Sequence, residues 1–123
     1  MFNDWTEKYE YIIDLGKSLP IINDTFKTSA NTIKGCQSKV WLYAEYINNK
    51  LIFTADSDAI ITKGIIAILI RVFSNQSPKD IVDAKADFIE EIGLKQHLSQ
   101  TRANGLSSMI KQIKLYAVGY LNK

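Results

Sequence analysis

Apolar positions recur along this chain with two different periods, and the changes of period mark its elements. Between residues 4 and 17, Trp5, Tyr9, Ile12, Ile13 and Gly16 recur at helical spacing, with Glu7, Lys8, Glu10, Asp14 and Lys17 on the other faces. This predicts an amphipathic helix with Asp4 as its N-cap, stopped by Pro20. Residues 21 to 32 carry no period and read as an irregular segment. Val40 to Ile47 and Leu51 to Thr54 are rich in β-branched and aromatic residues and flank Asn48-Asn49-Lys50, the pattern of a tight antiparallel hairpin. A third strand is expected near Thr32-Ile33.

The second half reads as helical. Asp56-Ser57-Asp58 offers three consecutive capping residues before Ala59 to Phe73. The β-branched content of that run suits a strand, but its length without a turn signal decides for a helix. It is apolar almost all round and therefore central to the core. Ser77-Pro78 supplies a serine cap and a first-turn proline for a short helix over about 78 to 84. Another short helix is expected over about 86 to 92, ended by Gly93. Leu106, Met109, Ile110, Ile113, Tyr116, Ala117, Tyr120 and Leu121 mark one face of a long C-terminal helix. These elements predict an α+β fold: a small antiparallel β-sheet of about three strands, covered by helices on one side. No repeat, low-complexity tract or linker divides the chain, so residues 1–123 are expected to form a single domain.

Composition narrows the function classes. A chain of 123 residues hides roughly two-thirds of its surface on folding and needs no metal or disulfide staple. Fifteen basic and thirteen acidic residues are spread evenly, with no basic arm or stripe to suggest nucleic-acid binding. The start, Met1-Phe2-Asn3-Asp4-Trp5, lacks the pattern of a signal peptide. The longest apolar run is interrupted by Thr62, Lys63, Gly64 and Arg71, too polar to span a bilayer. The expected location is the cytoplasm, where thiols stay reduced.

Chemistry-bearing residues are few. Cys36 is the sole cysteine, so it forms no intramolecular disulfide and supplies no multi-cysteine metal site. A lone cysteine commonly packs as a small hydrophobe. Here, however, it lies between Gly35 and Gln37, ahead of Ser38-Lys39 and a strand, which suits a thiol on a turn at the mouth of a sheet. Lys34 and Lys39 flank it and would favour a thiolate if their side chains face it. His97, the sole histidine, is the only possible partner for a cysteine–histidine pair, and reads otherwise as a surface or capping residue. Asp56-Ser57-Asp58 reads as acid/base or metal-binding carboxylates or, more simply, as helix caps. Arg102, on an expected loop before the last helix, reads from its surroundings as an exposed solubilising arginine.

Taken in order, these segments resemble the SufE family of sulfur-acceptor proteins. The carrying blocks are Trp5 with Tyr9-Glu10-Tyr11-Ile12-Ile13-Asp14-Leu15-Gly16, Leu19-Pro20, and Gly35-Cys36-Gln37-Ser38-Lys39-Val40-Trp41. Asp56 to Gly64, Leu98-Ser99-Gln100-Thr101-Arg102 and Asn104-Gly105-Leu106 follow. Each block alone is weak, but the ordered set, from Trp5 to about Tyr116, is specific. The resemblance implies a fold shared with iron–sulfur scaffold proteins of the IscU type. It also implies that Cys36 receives sulfur from a SufS-type cysteine desulfurase, stimulates that enzyme, and passes sulfur to a downstream iron–sulfur scaffold. Gly35, Gln37, Asp58 and Arg102 would belong to the sulfur-transfer surface. The protein would be a carrier rather than an enzyme, with no cofactor or metal of its own; pyridoxal phosphate would sit in the desulfurase. The rival readings are a small cysteine-dependent hydrolase using Cys36 and His97, and an iron–sulfur scaffold. One cysteine argues against a scaffold, because cluster binding needs several thiolates.

Overall fold

The computed structural model describes residues 5–36, 38–84 and 100–121, apart from the side chains of residues 5, 6, 8 and 100–103. The elements are α1 (Trp5–Lys17), β1 (Val40–Ile47), β2 (Lys50–Ser57), α2 (Ile60–Phe73), α3 (Pro78–Asp83) and α4 (Gln100–Tyr120), with two 3-10 turns at Asp24–Phe26 and Ser29–Asn31. The expected Asp4 cap and the helix over 86 to 92 lie outside the described residues.

β1 and β2 form a two-stranded antiparallel hairpin in which Ile47 faces Lys50 and Val40 faces Ser57. Asn48 and Asn49 make the turn, with φ of 52° and 66°. Two consecutive left-handed residues match the twist of the flanking strands, and asparagine tolerates that conformation better than most. The second strand outruns the expected Leu51 to Thr54 because pairing with Val40–Tyr43 carries it to Ser57. The expected third strand is reduced to one bridge, Thr32 to Trp41, with the Ile33 N–H donating to the Val40 carbonyl at 2.8 Å. A 3-10 turn ends at Asn31 and a positive-φ glycine follows at residue 35, so only two residues run alongside β1.

Strand alternation gives the sheet a buried face of Val40, Leu42, Ala44, Leu51, Phe53 and Ala55. α2 and α4 cover it, and Tyr116 of α4 meets Phe53 edge-on while donating its hydroxyl to the Leu42 carbonyl at 2.8 Å. The opposite face carries Trp41, Tyr43 and Asp56, with Phe26 stacked on Tyr43 at 4.0 Å between centroids. α2 is the centre of the core: Ile65, Ile66, Leu69, Ile70 and Phe73 are all at most 2% exposed. α1 crosses α2 where two glycines meet. A Cβ on Gly16 would stand 3.1 Å from the Gly64 nitrogen, and one on Gly64 would overlap the Ile12 carbonyl oxygen. α3 opens as its sequence predicts, with Ser77 Oγ accepting the Asp80 N–H and Pro78 in the first turn. Its far end is held by Lys114 of α4, whose ammonium donates to the Val82 and Ala84 carbonyls.

Candidate functional site: the Cys36 turn and its cavity

Pairing of Thr32-Ile33 with Val40-Trp41 leaves residues 34–36 and 38–39 outside the sheet at the end of β1. Gly35 takes φ +91°, a conformation that L side chains rarely adopt, and a Cβ there would stand 2.5 Å from Ser108 Oγ. The backbone angle calls for glycine, and any side chain there would also have to turn the Ser108 hydroxyl aside. The turn aims Cys36 inward: the thiol is half-buried and donates to the Gly105 carbonyl of α4, with Sγ···O 3.6 Å. A Cβ on Gly105 would lie 3.3 Å from that sulfur, tighter than ordinary contact, so a side chain at residue 105 would press the thiol outward by a few tenths of an ångström.

Cys36 borders a cavity of about 480 Å³ whose walls come from α2 (Ile61, Thr62, Ile65) and α4 (Gly105, Met109), with Ser38 and Asp58 at the polar side. Burial pushes the Cys36 thiol above the ordinary range, with no opposing contribution from Lys34 or Lys39. The two flanking lysines thus do not activate the sulfur. Lys34 lines a separate groove with Lys111 and Ser108, and Lys39 is exposed. The resting site holds a protonated thiol. Trp41, on the sheet face opposite the core, lies with its ring 5.4 Å from Lys27 Nζ and forms no part of the cavity wall.

Asp56-Ser57-Asp58 does not cap α2. The helix is preceded by Ala59 with no side-chain cap bond, because β2 absorbs Asp56 and Ser57. Asp58 instead closes the base of the cysteine turn: Oδ1 accepts the Lys39 N–H at 3.1 Å, and its own N–H donates to the Lys39 carbonyl at 3.2 Å. Asp56 sits on the outer sheet face with Lys27 Nζ at 2.7 Å and Lys63 Nζ at 3.4 Å. Burial pushes its carboxyl up. Hydrogen bonds from Lys27 and the Ser57 N–H, with the charges of both lysines, outweigh this and hold it below the usual carboxylate range.

The structure brings Gly35, Cys36 and Asp58 to one end of the sheet. Arg102 lies not on a loop but in the first turn of α4, one helical turn before Gly105. The helix runs through Gly105 rather than starting after it, since that glycine serves a close contact and does not end the helix. Gln37 and His97 lie outside the described residues. Sequence reading missed Gly105, Ser108, Ile65 and Met109 as site residues. The available signal was an isolated glycine in a helical pattern, which often marks a packing need. Among the described residues, no group of three or more His, Cys, Asp or Glu could hold a metal, and no helix is long and apolar enough to cross a membrane.

Comparison with known proteins gives the chain its family. The chain is 41% identical to an uncharacterized SufE-like protein of Rhizobium meliloti (strain 1021), over 97% of this chain and 89% of the relative. Its fold is similar to the solution structure of a hypothetical protein from Thermus thermophilus, with TM-score 0.77 and 16% identity over 96% of this chain and 87% of that one. The SufE family, described as an Fe-S metabolism associated domain, matches residues 1–117. By that match and that relative, the chain belongs to the SufE family and is associated with iron–sulfur metabolism.

Proposed function

We propose that this protein is a persulfide carrier that acts in the cytoplasm as a single SufE-like domain. Cys36 accepts sulfur from a SufS-type, pyridoxal-phosphate-dependent cysteine desulfurase, stimulates that enzyme, and hands sulfur on for cluster assembly. The observation that carries the reading is the sole thiol, set on a glycine-led turn beside a cavity walled by α2 and α4. Such a site has room for one more sulfur atom and keeps it from oxidants between partners.

The transfer balances without a cofactor on this chain. The Cys36 thiolate attacks the outer sulfur of the donor's persulfide. A new S–S bond forms at Cys36 while the donor's S–S bond breaks, the donor cysteine leaves as a thiolate, and the proton stays on the transferred sulfur. Because burial holds the resting thiol protonated, the step requires the partner to draw the turn outward or to bring positive charge to it. Gly35 gives the turn that freedom. Asp58 fixes its base, and Gln37 and Arg102 meet the partner.

Intact mass after incubation with a desulfurase and cysteine tests the reading. One sulfur should be gained, lost again on reduction, and absent in Cys36→Ser with its fold unchanged. A serine variant that still takes up sulfane sulfur, or a wild type that takes up none, overturns it.

A further inference from the structure

The Gly35-Cys36 turn rests on a single turn of α4. Gly105 and Ser108 are three residues apart and so share one helix face. Ser108 Oγ occupies the space that a Gly35 Cβ would need, and the Cys36 sulfur occupies the space beside the bare Cα of Gly105. A glycine inside a helix weakens it, so residue 105 is a place where helix propensity yields to another demand. Gly119, in the same helix, has nothing within 4 Å of where its Cβ would stand. The two glycines differ in the contact and not in the element.

We propose that Gly105 is a positioning residue of the Cys36 site: its bare Cα and its carbonyl form a seat for the sulfur, and a side chain there drives the thiol away from α4. In the seat the sulfur is half-buried and faces a carbonyl oxygen, whose partial negative charge opposes a thiolate. Among the described charged residues, Asp58 of the β2–α2 link lines the same cavity, Lys34 of the turn and Lys111 of α4 line the groove that includes Ser108, and Lys39 is exposed. To the cavity, α2 and α4 present only uncharged groups, Thr62, Ile65 and Met109 among them. The seat thus sets how poor a nucleophile the resting thiol is. A partner that lifts Cys36 off Gly105 turns the nucleophile on. That consequence rests on the carrier reading above, whereas the seat is a property of the free chain.

The test is the rate of Cys36 alkylation by iodoacetamide over a series of pH values, on the whole chain without partner. Gly105→Ala should react roughly 3-fold faster at neutral pH and Gly105→Val roughly 10-fold faster, with the pH midpoint moving down toward that of an ordinary thiol. Gly119→Ala should match wild type. Leu106→Ala weakens the same helical turn without filling the seat, so it should keep the wild-type midpoint. A folded Gly105→Ala with wild-type rate and midpoint overturns the proposal, as does a midpoint that falls equally in Leu106→Ala. If Gly105→Val fails to fold, Gly105→Ala decides alone. Sulfur uptake by wild type, measured in parallel, separates failure of the carrier reading from failure of the seat.

Discussion

Gly64 and Gly105 are both buried glycines on core helices, and each leaves its missing side chain to a neighbour. At Gly64 the neighbour is the Ile12 backbone carbonyl of another helix. At Gly105 it is the tip of a cysteine side chain on a turn that itself begins with glycine. The first neighbour cannot move without separating α1 from α2. The second is a side-chain atom, and turning it aside separates no helices. Close contact against backbone therefore serves stability, whereas close contact against a side-chain tip suits the movable thiol that the proposed carrier role requires.

The most severe test of this contrast is Gly64→Ala. A methyl group overlapping a backbone carbonyl is expected to cost at least ~3 kcal/mol, beyond ordinary overpacking, because the helices themselves must part. Chemical denaturation measures it, and a variant within about 1 kcal/mol of wild type breaks the contrast, since routine overpacking already reaches that cost. Asp56→Asn should have an intermediate effect, about 1–1.5 kcal/mol at neutral pH, through loss of a charge-assisted hydrogen bond that is part-buried and therefore partly screened by solvent. Its pH dependence sharpens the point. The folded carboxyl titrates below its unfolded value, so its contribution is present above about pH 4 and fades as pH falls through the lower folded value. Wild-type and variant stabilities should therefore converge in acid, and parallel curves would show that the Lys27 and Lys63 contacts contribute nothing.

Asp58→Ala should cost least in stability, about 0.5–1 kcal/mol for one exposed hydrogen bond at the base of the turn. Its stimulation of the desulfurase should fall by more than that loss explains. Full stimulation at sub-saturating partner, at a temperature where the variant stays folded, would make Asp58 a purely structural residue.

The fold was largely legible in the sequence because its signals are local. A pair of asparagines between β-rich runs predicts the hairpin, an unbroken apolar run predicts α2, and Ser77-Pro78 predicts the start of α3. The cysteine turn was legible too, from Gly35 and the polar residues after Cys36. What could not be read depends on what lies across space. Asp56 looks like a helix cap until its partners, 29 residues back and 7 residues on, are placed beside it. Lys34 and Lys39 adjoin the thiol in sequence yet leave its acidity to burial. Gly105 looks like a helix break, and only the sulfur packed on it explains its presence.

The hairpin carries one more consequence. A sheet of two strands is nothing but edges, and an open edge invites another chain to add a strand. Along the outer side of β2 this invitation is withdrawn. The N–H of Leu51 bonds the Gln76 carbonyl, that of Phe53 bonds Ser74 Oγ, and that of Ala55 bonds the Pro20 carbonyl. Short pieces of irregular chain thus occupy every second amide of the strand. A protein so sealed resists pairing with copies of itself through β2, and any binding partner is turned away from that edge toward the loops at the strand ends.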